Sequence, residues 1–189
     1  MSNRLTANLS ATTGNQIKAL KEVAGSYNAA FEYLLSLRNT NYKTGKPFAE
    51  LVAMELVYKN GAVYNYDLRK TTGCGAAICK AVAASYKDEP LVLEGTGKKA
   101  RLWLRLKSEV ADQLTELLSY TGDWERLCSY LLSLQNPRFD KGALHVERLL
   151  KRMILEGEPV TSYTLTMEVE RASKGTAIKV FKDYKSIIY

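Results

Sequence analysis

Hydrophobic and polar residues alternate strictly at one place in the chain and more weakly at another. Arg101–Lys107 has the sequence Arg-Leu-Trp-Leu-Arg-Leu-Lys, which places three leucines on one face and basic residues with one tryptophan on the other. Arg4–Ser10 shows a weaker form of this alternation. A period of two residues is typical of a half-buried β-strand. We therefore predict two short strands, which pair with each other or with Leu91–Leu93.

A long helical pattern follows each predicted strand. Thr13 to Gln16 fits a capping box, in which the threonine caps the helix and Gln16 reaches back. Apolar residues then recur at helical spacing at Ile17, Leu20, Ala24, Tyr27, Phe31 and Leu34, and again at Leu114, Leu117, Thr121, Trp124, Cys128 and Leu131. A second stripe at Ala30, Tyr33 and Leu37 makes the first helix apolar over a wide arc. Such an arc predicts a central helix that is buried on two sides.

Shorter helical patterns occupy most of the remaining chain. Pro47 suits the first turn of a helix, and glycines at 61, 73 and 157 mark helix ends. The helices are predicted at Pro47–Lys59, Tyr64–Thr72, Cys74–Lys87, Leu144–Glu156, Ser162–Ala172 and Gly175–Lys185. Tyr163–Val169 fits a strand as well as a helix. The predicted fold class is mainly α with a few short β-strands (α+β).

A heptapeptide that occurs twice indicates an internal duplication. Tyr33–Asn39 and Tyr130–Asn136 are identical at six of seven positions and are separated by 97 residues. The same shift aligns Gly25 with Gly122 and Tyr27 with Trp124. We predict two pseudo-symmetric tandem helical repeats, at residues 1–90 and 101–189, joined by a basic linker or hairpin at 91–100. Modules of this size are marginal alone, so the halves are expected to share a core.

Composition is that of a globular protein, with 46% hydrophobic and 25% charged residues among 189. No apolar run approaches the roughly 20 residues that a transmembrane helix needs. The polar start lacks the apolar region of a signal peptide, which predicts a cytoplasmic protein. Cys74, Cys79 and Cys128 form no zinc-binding pattern, so we interpret them as structural thiols in a reducing compartment.

Residues that would indicate catalysis are scarce. His145 is the single histidine, which excludes a multi-histidine metal site within one chain. The sequence at Gly97-Lys98 departs from a phosphate-binding loop, because the loop would need glycine at Val92 and a hydroxyl residue at Lys99. No spacing of Asp and Glu singles out an acid–base pair. We therefore predict a protein that is not an enzyme and that needs no cofactor or metal.

Positive charge is the feature that most restricts the partner. The net charge is +7, and residues 1–95 carry 11 basic and 8 acidic residues against 16 and 12 in residues 96–189. Neither half is a basic tail, so a binding surface must be assembled by folding. Basicity of this size favours a polyanion, most often nucleic acid.

Basic residues interleaved with aromatic ones are the candidate nucleic-acid contacts. Lysine and arginine would meet phosphates, and tyrosines would stack on bases or ribose. The candidates are Arg38, Tyr42, Lys43, Lys46, Tyr66, Arg69, Lys70, Lys80, Lys87, Lys98, Lys99, Arg101, Arg105, Arg138 and Lys141. The simpler alternative is that the aromatic rings belong to the core and the charges form a solvated face.

Several motifs of the first half resemble a known family. Tyr66-Asp67-Leu68-Arg69 is followed by Gly73, Ala76 and the segment 80–87, Lys-Ala-Val-Ala-Ala-Ser-Tyr-Lys. Together with the strand at Arg4–Leu9, Gln16 and Tyr27-Asn28, this order resembles the helical N-terminal region of TnpB-type transposon proteins and of related small type V CRISPR effectors. The resemblance covers residues 4–87, and the second half is similar in a more diverged form.

The resemblance implies a recognition module without cleavage. In that family the region grips guide RNA and the RNA–DNA heteroduplex through backbone and shape. The family's RuvC nuclease acids and zinc ribbon have no counterpart here, and the second half has Thr164 and Thr166 in place of Asp67 and Arg69. A stand-alone subunit of an RNA-guided system is therefore what the resemblance implies.

The sequence thus predicts a non-catalytic protein that binds structured RNA or an RNA–DNA heteroduplex, with a larger protein effector as a further partner. One alternative is a helical protein-interaction adaptor or inhibitor that docks on a larger nucleic-acid enzyme. Another is a DNA-binding regulator, in which a helix such as Ser162–Lys185 enters a major groove.

Overall fold

Two antiparallel strands, one from each half of the chain, form the sheet of this fold. The computed structural model describes residues 2–87, 99–136, 138, 142–169 and 173–188. Strand β1 (Ser2–Ser10) pairs along its whole length with strand β2 (Lys99–Lys107), and Thr6 lies opposite Trp103 at the centre. The predicted pairing of the two strands is confirmed, whereas Leu91–Leu93 lies outside the described residues. Because β2 begins at Lys99, the last two residues of the predicted linker belong to the sheet.

Five helices follow each strand within the described part of the chain. After β1 come α1 (Ala11–Ala24), α2 (Tyr27–Ser36), α3 (Gly45–Asn60), α4 (Asn65–Thr72) and α5 (Ala76–Ser85). After β2 come α6 (Ser108–Thr121), α7 (Trp124–Ser133), α8 (Ala143–Glu156), α9 (Ser162–Glu168) and α10 (Lys174–Ile188). The chain is mainly helical with one small sheet, as predicted. The bounds of β1, α1 and α2 recur 97 residues later in β2, α6 and α7.

The single long helix predicted after each strand is wrong, because each pattern is divided into two helices. Gly25 (φ 82°) ends α1 in the left-handed conformation, and Ser26 caps α2 by accepting a hydrogen bond from the Ala29 amide. Gly122 also has a positive φ (87°) and ends α6, and Asp123 caps α7 by accepting a hydrogen bond from the Arg126 amide. A glycine followed by a residue that favours the N-cap thus stops one helix and starts the next.

The predicted capping box at Thr13 is also wrong, because α1 begins earlier. Ser10, the last residue of β1, is the N-cap and its hydroxyl accepts a hydrogen bond from the Thr13 amide. Glu125 of α7 accepts hydrogen bonds from the Ser10 amide at 2.6 Å and from the Ser10 and Thr13 hydroxyls. A carboxylate at this end of α1 is favourable because the N-terminus of a helix carries partial positive charge.

The remaining helices lie close to their predicted positions. Helix α3 starts at Gly45 rather than Pro47, and α9 ends at Glu168 because Val169 has a non-helical backbone (φ −94°, ψ 88°). Tyr163–Val169 is therefore helical over most of its length, and the strand alternative is excluded. No continuous helix covers Ser162–Lys185, since Val169 interrupts it.

Residues of both halves form one main core beneath the inner face of the sheet. The repeated heptapeptides contribute Leu34 and Leu37 from one half and Leu131 and Leu134 from the other, all fully buried. A second cluster lies among α3, α4 and α5, and a third among α8, α9 and α10. The two halves therefore share the core that contains the sheet, as small modules require.

A buried lysine connects α8 to the end of α2. Lys151 is 9% exposed, and its Nζ donates to the carbonyls of Ser36 (2.7 Å) and Asn39 (2.9 Å) and lies 2.9 Å from Oε1 of Glu147. The Tyr184 hydroxyl donates to the same carboxylate oxygen at 2.5 Å. Carbonyls at the C-terminus of a helix have no partner within the helix, and a cation favours this end. Lys151 thus connects the two halves with two of its donors and bonds Glu147 of its own helix with the third.

We expect Lys151→Met to lower the free energy of unfolding by about 3–5 kcal/mol, because the buried Glu147 carboxylate and the carbonyls of Ser36 and Asn39 would lose the bonds that Lys151 donates. Urea denaturation of purified protein measures the change. The matched variant Lys179→Met removes an exposed lysine from α10 and should change stability by less than about 0.5 kcal/mol. Equal losses in the two variants would contradict the role assigned to Lys151.

Close packing between α1 and β2 gives a second prediction. A Cβ atom at Gly14 would lie 2.6 Å from the Cβ atom of Ala100, inside van der Waals contact. Gly14→Ala should therefore destabilise the protein by about 1–3 kcal/mol through overpacking. Gly175→Ala, in the first turn of α10, meets nothing closer than 3.9 Å and should be neutral or stabilising in the same thermal unfolding assay. A neutral Gly14→Ala variant would show that the strand and the helix are farther apart.

Candidate nucleic-acid interface

The outer face of the sheet is basic and carries one aromatic ring. Alternation along the strands turns the leucines towards the core and nine other residues outwards. Eight of them form the cross-strand pairs Arg4 with Arg105, Thr6 with Trp103, Asn8 with Arg101, and Ser10 with Lys99, and the ninth is Lys107 at the end of β2. None of the nine is acidic, and five are basic. We call this set of nine residues the outer sheet face.

Trp103 lies at the centre of the outer sheet face and is 69% exposed. The guanidinium carbon of Arg101 lies 5.4 Å from the centroid of the indole ring, within the range of a cation–π interaction. Tryptophan is highly buried on average, so an indole that is exposed to this extent indicates a binding role. A π-face that is open to solvent and flanked by arginine is the arrangement on which nucleic-acid bases stack.

Arg4 and Arg105 lie directly opposite each other in the sheet. Like charges at such positions destabilise a strand pair, so the sheet does not gain stability from them. Lys107 differs, because its Nζ lies 3.0 Å from a carboxylate oxygen of Glu32. The hydrogen bond to Lys107 lowers the pKa of the Glu32 carboxyl group. The charges of Arg4 and Arg105 are therefore suited to an external anion.

A cavity of about 410 Å³ adjoins one side of the outer sheet face. Arg4, Trp103 and Arg105 line it together with Lys21 and Tyr27, which lie on α1 and α2. Lys21 is already bonded to the exposed Glu22 at 2.9 Å, which partly neutralises it. The cavity lies at the lower end of the volumes that accommodate small organic groups, and a base or a ribose fits this range.

The residues predicted after the first heptapeptide are partly engaged within the protein. Nε of Arg38 donates to the Tyr130 hydroxyl at 3.3 Å, and the Arg38 guanidinium lies 3.9 Å from Glu55. Tyr42 is half-buried against the main core, and burial raises the pKa of its phenol. Lys43 and Lys46 are exposed nearby. Of this predicted group, the two lysines rather than Tyr42 face solvent.

A second exposed group lies on α4 and α5. Tyr66 is 73% exposed, and Arg69 and Lys70 follow it three and four residues later on the same face of α4. Lys80 on α5 and Lys87 beyond its end are exposed as well. Helix α4 packs mainly on α3 and α5, whereas the strands pack on α1, α2, α6 and α7. The α4–α5 group and the outer sheet face are therefore separate surfaces.

The predicted group after the second heptapeptide is described only in part. The guanidinium carbon of Arg138 lies 4.4 Å from the ring centroid of Tyr86, so this pair is a contact within the protein. Lys98 and Lys141 lie outside the described residues. Of the predicted residues, the structure brings Lys99, Arg101 and Arg105 together on one face.

Several residues of this interface were absent from the predicted site residues, among them Trp103, Arg4 and Lys21. Trp103 and Arg4 lie on the predicted strands, and Lys21 lies on the wall of the cavity. Trp103 and Arg101 alternate with leucines in the sequence, and this alternation already indicates that both side chains point away from the core. Arg4 joins them only because β1 pairs antiparallel with β2 in this register. Register depends on tertiary packing, which the sequence pattern alone does not fix.

Other kinds of site find little support among the described residues. They contain no group of three or more His, Cys, Asp or Glu side chains that could hold a metal ion. The three cysteines are buried free thiols, and burial raises the pKa of Cys128, which disfavours the reactive thiolate. Within the described ranges, every helix is too short or too polar to cross a membrane.

No protein-family model, curated protein or solved structure matches this chain significantly. The resemblance to TnpB-type proteins therefore remains a prediction that rests on the motifs named above.

Proposed function

We propose that this protein binds nucleic acid without catalysing a reaction, and that the outer sheet face is its main contact surface. The observation that carries the proposal is the exposed indole of Trp103 among Arg4, Arg101 and Arg105 on strands whose outward residues include no acid. The neighbouring carboxylates of Glu32 and Glu125 bond Lys107 and Ser10 at the two ends of the face. Arginines bind phosphates and the indole stacks on a base. Both groups lie on paired strands, which hold them in fixed positions.

The length of the face favours a polymer over a small anion. Arg101 and Arg105 are four residues apart on one strand, which corresponds to roughly 13 Å at the usual rise per residue. One phosphate group cannot contact both side chains at once without bending them towards each other. Successive phosphates of a chain can meet both arginines while a base between them meets Trp103.

Structured RNA or an RNA–DNA heteroduplex is the ligand class that we propose. A base must leave its stack before it can lie on an indole, and loops, bulges and ends of RNA provide such bases. Residues 4–87 resemble the N-terminal recognition region of TnpB-type proteins. On this ground we also propose that the ligand belongs to an RNA-guided system. The α4–α5 group, with Tyr66, Arg69 and Lys70, would then contact a more distant part of the same ligand.

An adaptor function is a second candidate, favoured by a different observation. Tyr163 and Met167 lie four residues apart on one face of α9 and are 71% and 65% exposed. Large apolar side chains on a short helix suit a protein partner. If this function is correct, a partner captured from the host should remain bound after nuclease digestion.

We also propose that the fold arose by duplication of one module. Six of seven residues of the heptapeptide are identical in the two halves, and β1, α1 and α2 have the same lengths as β2, α6 and α7. The strand register adds support, because Thr6 and Trp103 are 97 residues apart and lie opposite each other at its centre. A twofold axis between equivalent strands requires this arrangement.

Fluorescence anisotropy with labelled RNA hairpin, RNA–DNA heteroduplex and duplex DNA at two salt concentrations tests the proposed function. We expect the RNA-containing ligands to bind in a salt-dependent manner. The triple variant Arg4→Gln, Arg101→Gln and Arg105→Gln should lower the log–log salt slope by about two to three, at about 0.7–0.9 for each phosphate contact. Trp103→Ala should weaken binding roughly tenfold or more, since stacking contributes about 1–3 kcal/mol per base.

Matched variants show which surface binds. Lys179→Gln, Lys182→Gln and Lys185→Gln remove the same charge from the exposed face of α10, and Tyr163→Ala removes an aromatic ring that is exposed to the same degree as Trp103. Both should bind as the unmodified protein does. If the log–log salt slope is lowered instead by Arg69→Gln, Lys70→Gln and Lys80→Gln, the main contact surface is the α4–α5 group. No binding to any ligand at low salt would refute the function.

The duplication is tested by expressing residues 99–189 without the first half. If the halves are equivalent, this fragment should form a symmetric dimer in which two copies of β2 pair, because an isolated strand has no hydrogen-bonding partner. Sedimentation equilibrium measures its mass. A folded monomer, or a fragment that folds only after residues 1–98 are added, would contradict the equivalence.

A further inference from the structure

The strongest unexplained feature outside the outer sheet face is a buried arginine on α8. Arg148 is 3% exposed, and its Nε, Nη1 and Nη2 atoms have no hydrogen-bond partner among the described residues. Arginine has five N–H donors and stays protonated in proteins. Burial lowers the pKa of Arg148, which reports the cost of desolvating the charge. Such a group is normally paired, because an unpaired buried charge costs several kcal/mol.

The acidic residue beside Arg148 does not balance its charge. Glu147 is fully buried, and its Oε1 atom accepts from Lys151 and from Tyr184. Its Oε2 atom has no hydrogen-bond partner among the described residues, so it does not bond Arg148. The single negative charge of Glu147 is matched by Lys151 at 2.9 Å. This buried trio on α8 therefore has one excess positive charge, on Arg148.

Tyrosines surround Arg148 without bonding to it. Tyr33, Tyr130 and Tyr184 interact with the guanidinium electrostatically. The Tyr184 hydroxyl donates to Glu147, and the Tyr130 hydroxyl accepts from Arg38 at 3.3 Å. These hydroxyls already have partners in other directions. The surroundings of Arg148 thus contain aromatic rings, and no acceptor among the described residues bonds its guanidinium.

Arg148 forms part of the wall of a cavity of about 330 Å³. Polar groups from three elements line this cavity: Tyr33 of α2, Gln135 and Asn136 after α7, and His145 and Arg152 of α8. None of the lining residues is acidic. Arg152 lies 3.7 Å from Glu156 and is partly neutralised, which leaves Arg148 as the main charge of the site. Amide, imidazole and phenol groups can each donate a hydrogen bond.

We propose that this cavity binds a phosphate group, with Arg148 as its principal ligand and Arg152, His145 and Asn136 as further donors. A phosphate oxygen pair matches the fork of a guanidinium, and its remaining oxygens accept from several directions at once. A single carboxylate has two oxygens and would leave much of this donor set unused. The phosphate comes from a free anion, from a nucleotide or from the end of a nucleic-acid strand.

The first half of the chain indicates that this site is specific to the second half. The position 97 residues before Arg148 is Leu51, which is also buried, whereas Glu50 and Glu147 are acidic and buried at equivalent positions. A leucine at this helical position therefore packs without difficulty. Arginine at position 148 introduces a buried charge at a position where the first half has an apolar residue. Binding of an anionic ligand accounts for this difference.

Isothermal titration with inorganic phosphate, in buffer of constant ionic strength set with chloride, tests the site. The full chain should bind phosphate, and Arg148→Met should weaken the affinity at least about tenfold. The variant should fold at least as well without phosphate, because replacing an unpaired buried charge by an apolar side chain is often neutral or stabilising. Binding that is undetectable in the full chain, or equal in the variant, would overturn the proposal.

Two further measurements keep the test decisive. If Arg148→Met does not fold, Arg152→Met changes a more exposed residue of the same cavity, and unaltered phosphate affinity in that variant would overturn the site. In the unmodified protein, the Nε–H resonance of Arg148 should shift during a phosphate titration followed by NMR. A resonance that stays unchanged while phosphate binds would place the anion elsewhere and overturn the proposal.

The source of the phosphate is identified by comparing ligands. A nucleoside 5′-monophosphate that binds more tightly than inorganic phosphate indicates a nucleotide, and a gain in affinity on 5′-phosphorylation of an RNA oligonucleotide indicates a strand end. Either gain should disappear in Arg148→Met. The triple arginine variant of the outer sheet face should retain phosphate binding, so failure of one proposal leaves the other unaffected.

Discussion

The pairing of β1 with β2 is the constraint on which the rest of the structure depends. Each half contributes one strand, and backbone N–H and C=O groups of a strand need partners. Neither half provides a second strand among the described residues, so each strand is paired by the other half. The pairing also places the leucines of β2 over the two repeated heptapeptides, and their shared core follows from it. The outer sheet face exists only when this pairing is made.

Lys151 and the arginines of the sheet show two opposite ways of holding positive charge. Lys151 is buried and fully bonded, so its charge stabilises the junction between α2 and α8 and is closed to a ligand. Arg4 and Arg105 lie opposite each other in solvent, where their repulsion persists until an anion arrives. Net charge does not distinguish these cases. Local geometry therefore determines which of the basic residues can serve recognition.

Much of the fold could be predicted from the sequence, because strict alternation in β2 and apolar periodicity in the helices are strong local signals. The break at Gly25 was missed because Ala24 and Tyr27 are three residues apart, so the apolar spacing continues through it without a change of phase. Arg101 and Arg105 were predicted as contacts from their place on the strand. Burial of Arg148 was not predictable, since it depends on packing against residues that are distant in the sequence.

The strand register has a consequence for the history of the fold. If the halves descend from one module, that ancestor had a single strand and an exposed row of leucines beside it. Such an ancestor would have needed a second copy to pair its strand, with position 6 of one copy opposite position 6 of the other. Under the proposed duplication, joining two genes would have freed the copies to diverge. Threonine at one central position and tryptophan at the other is a combination that a symmetric dimer could never have had.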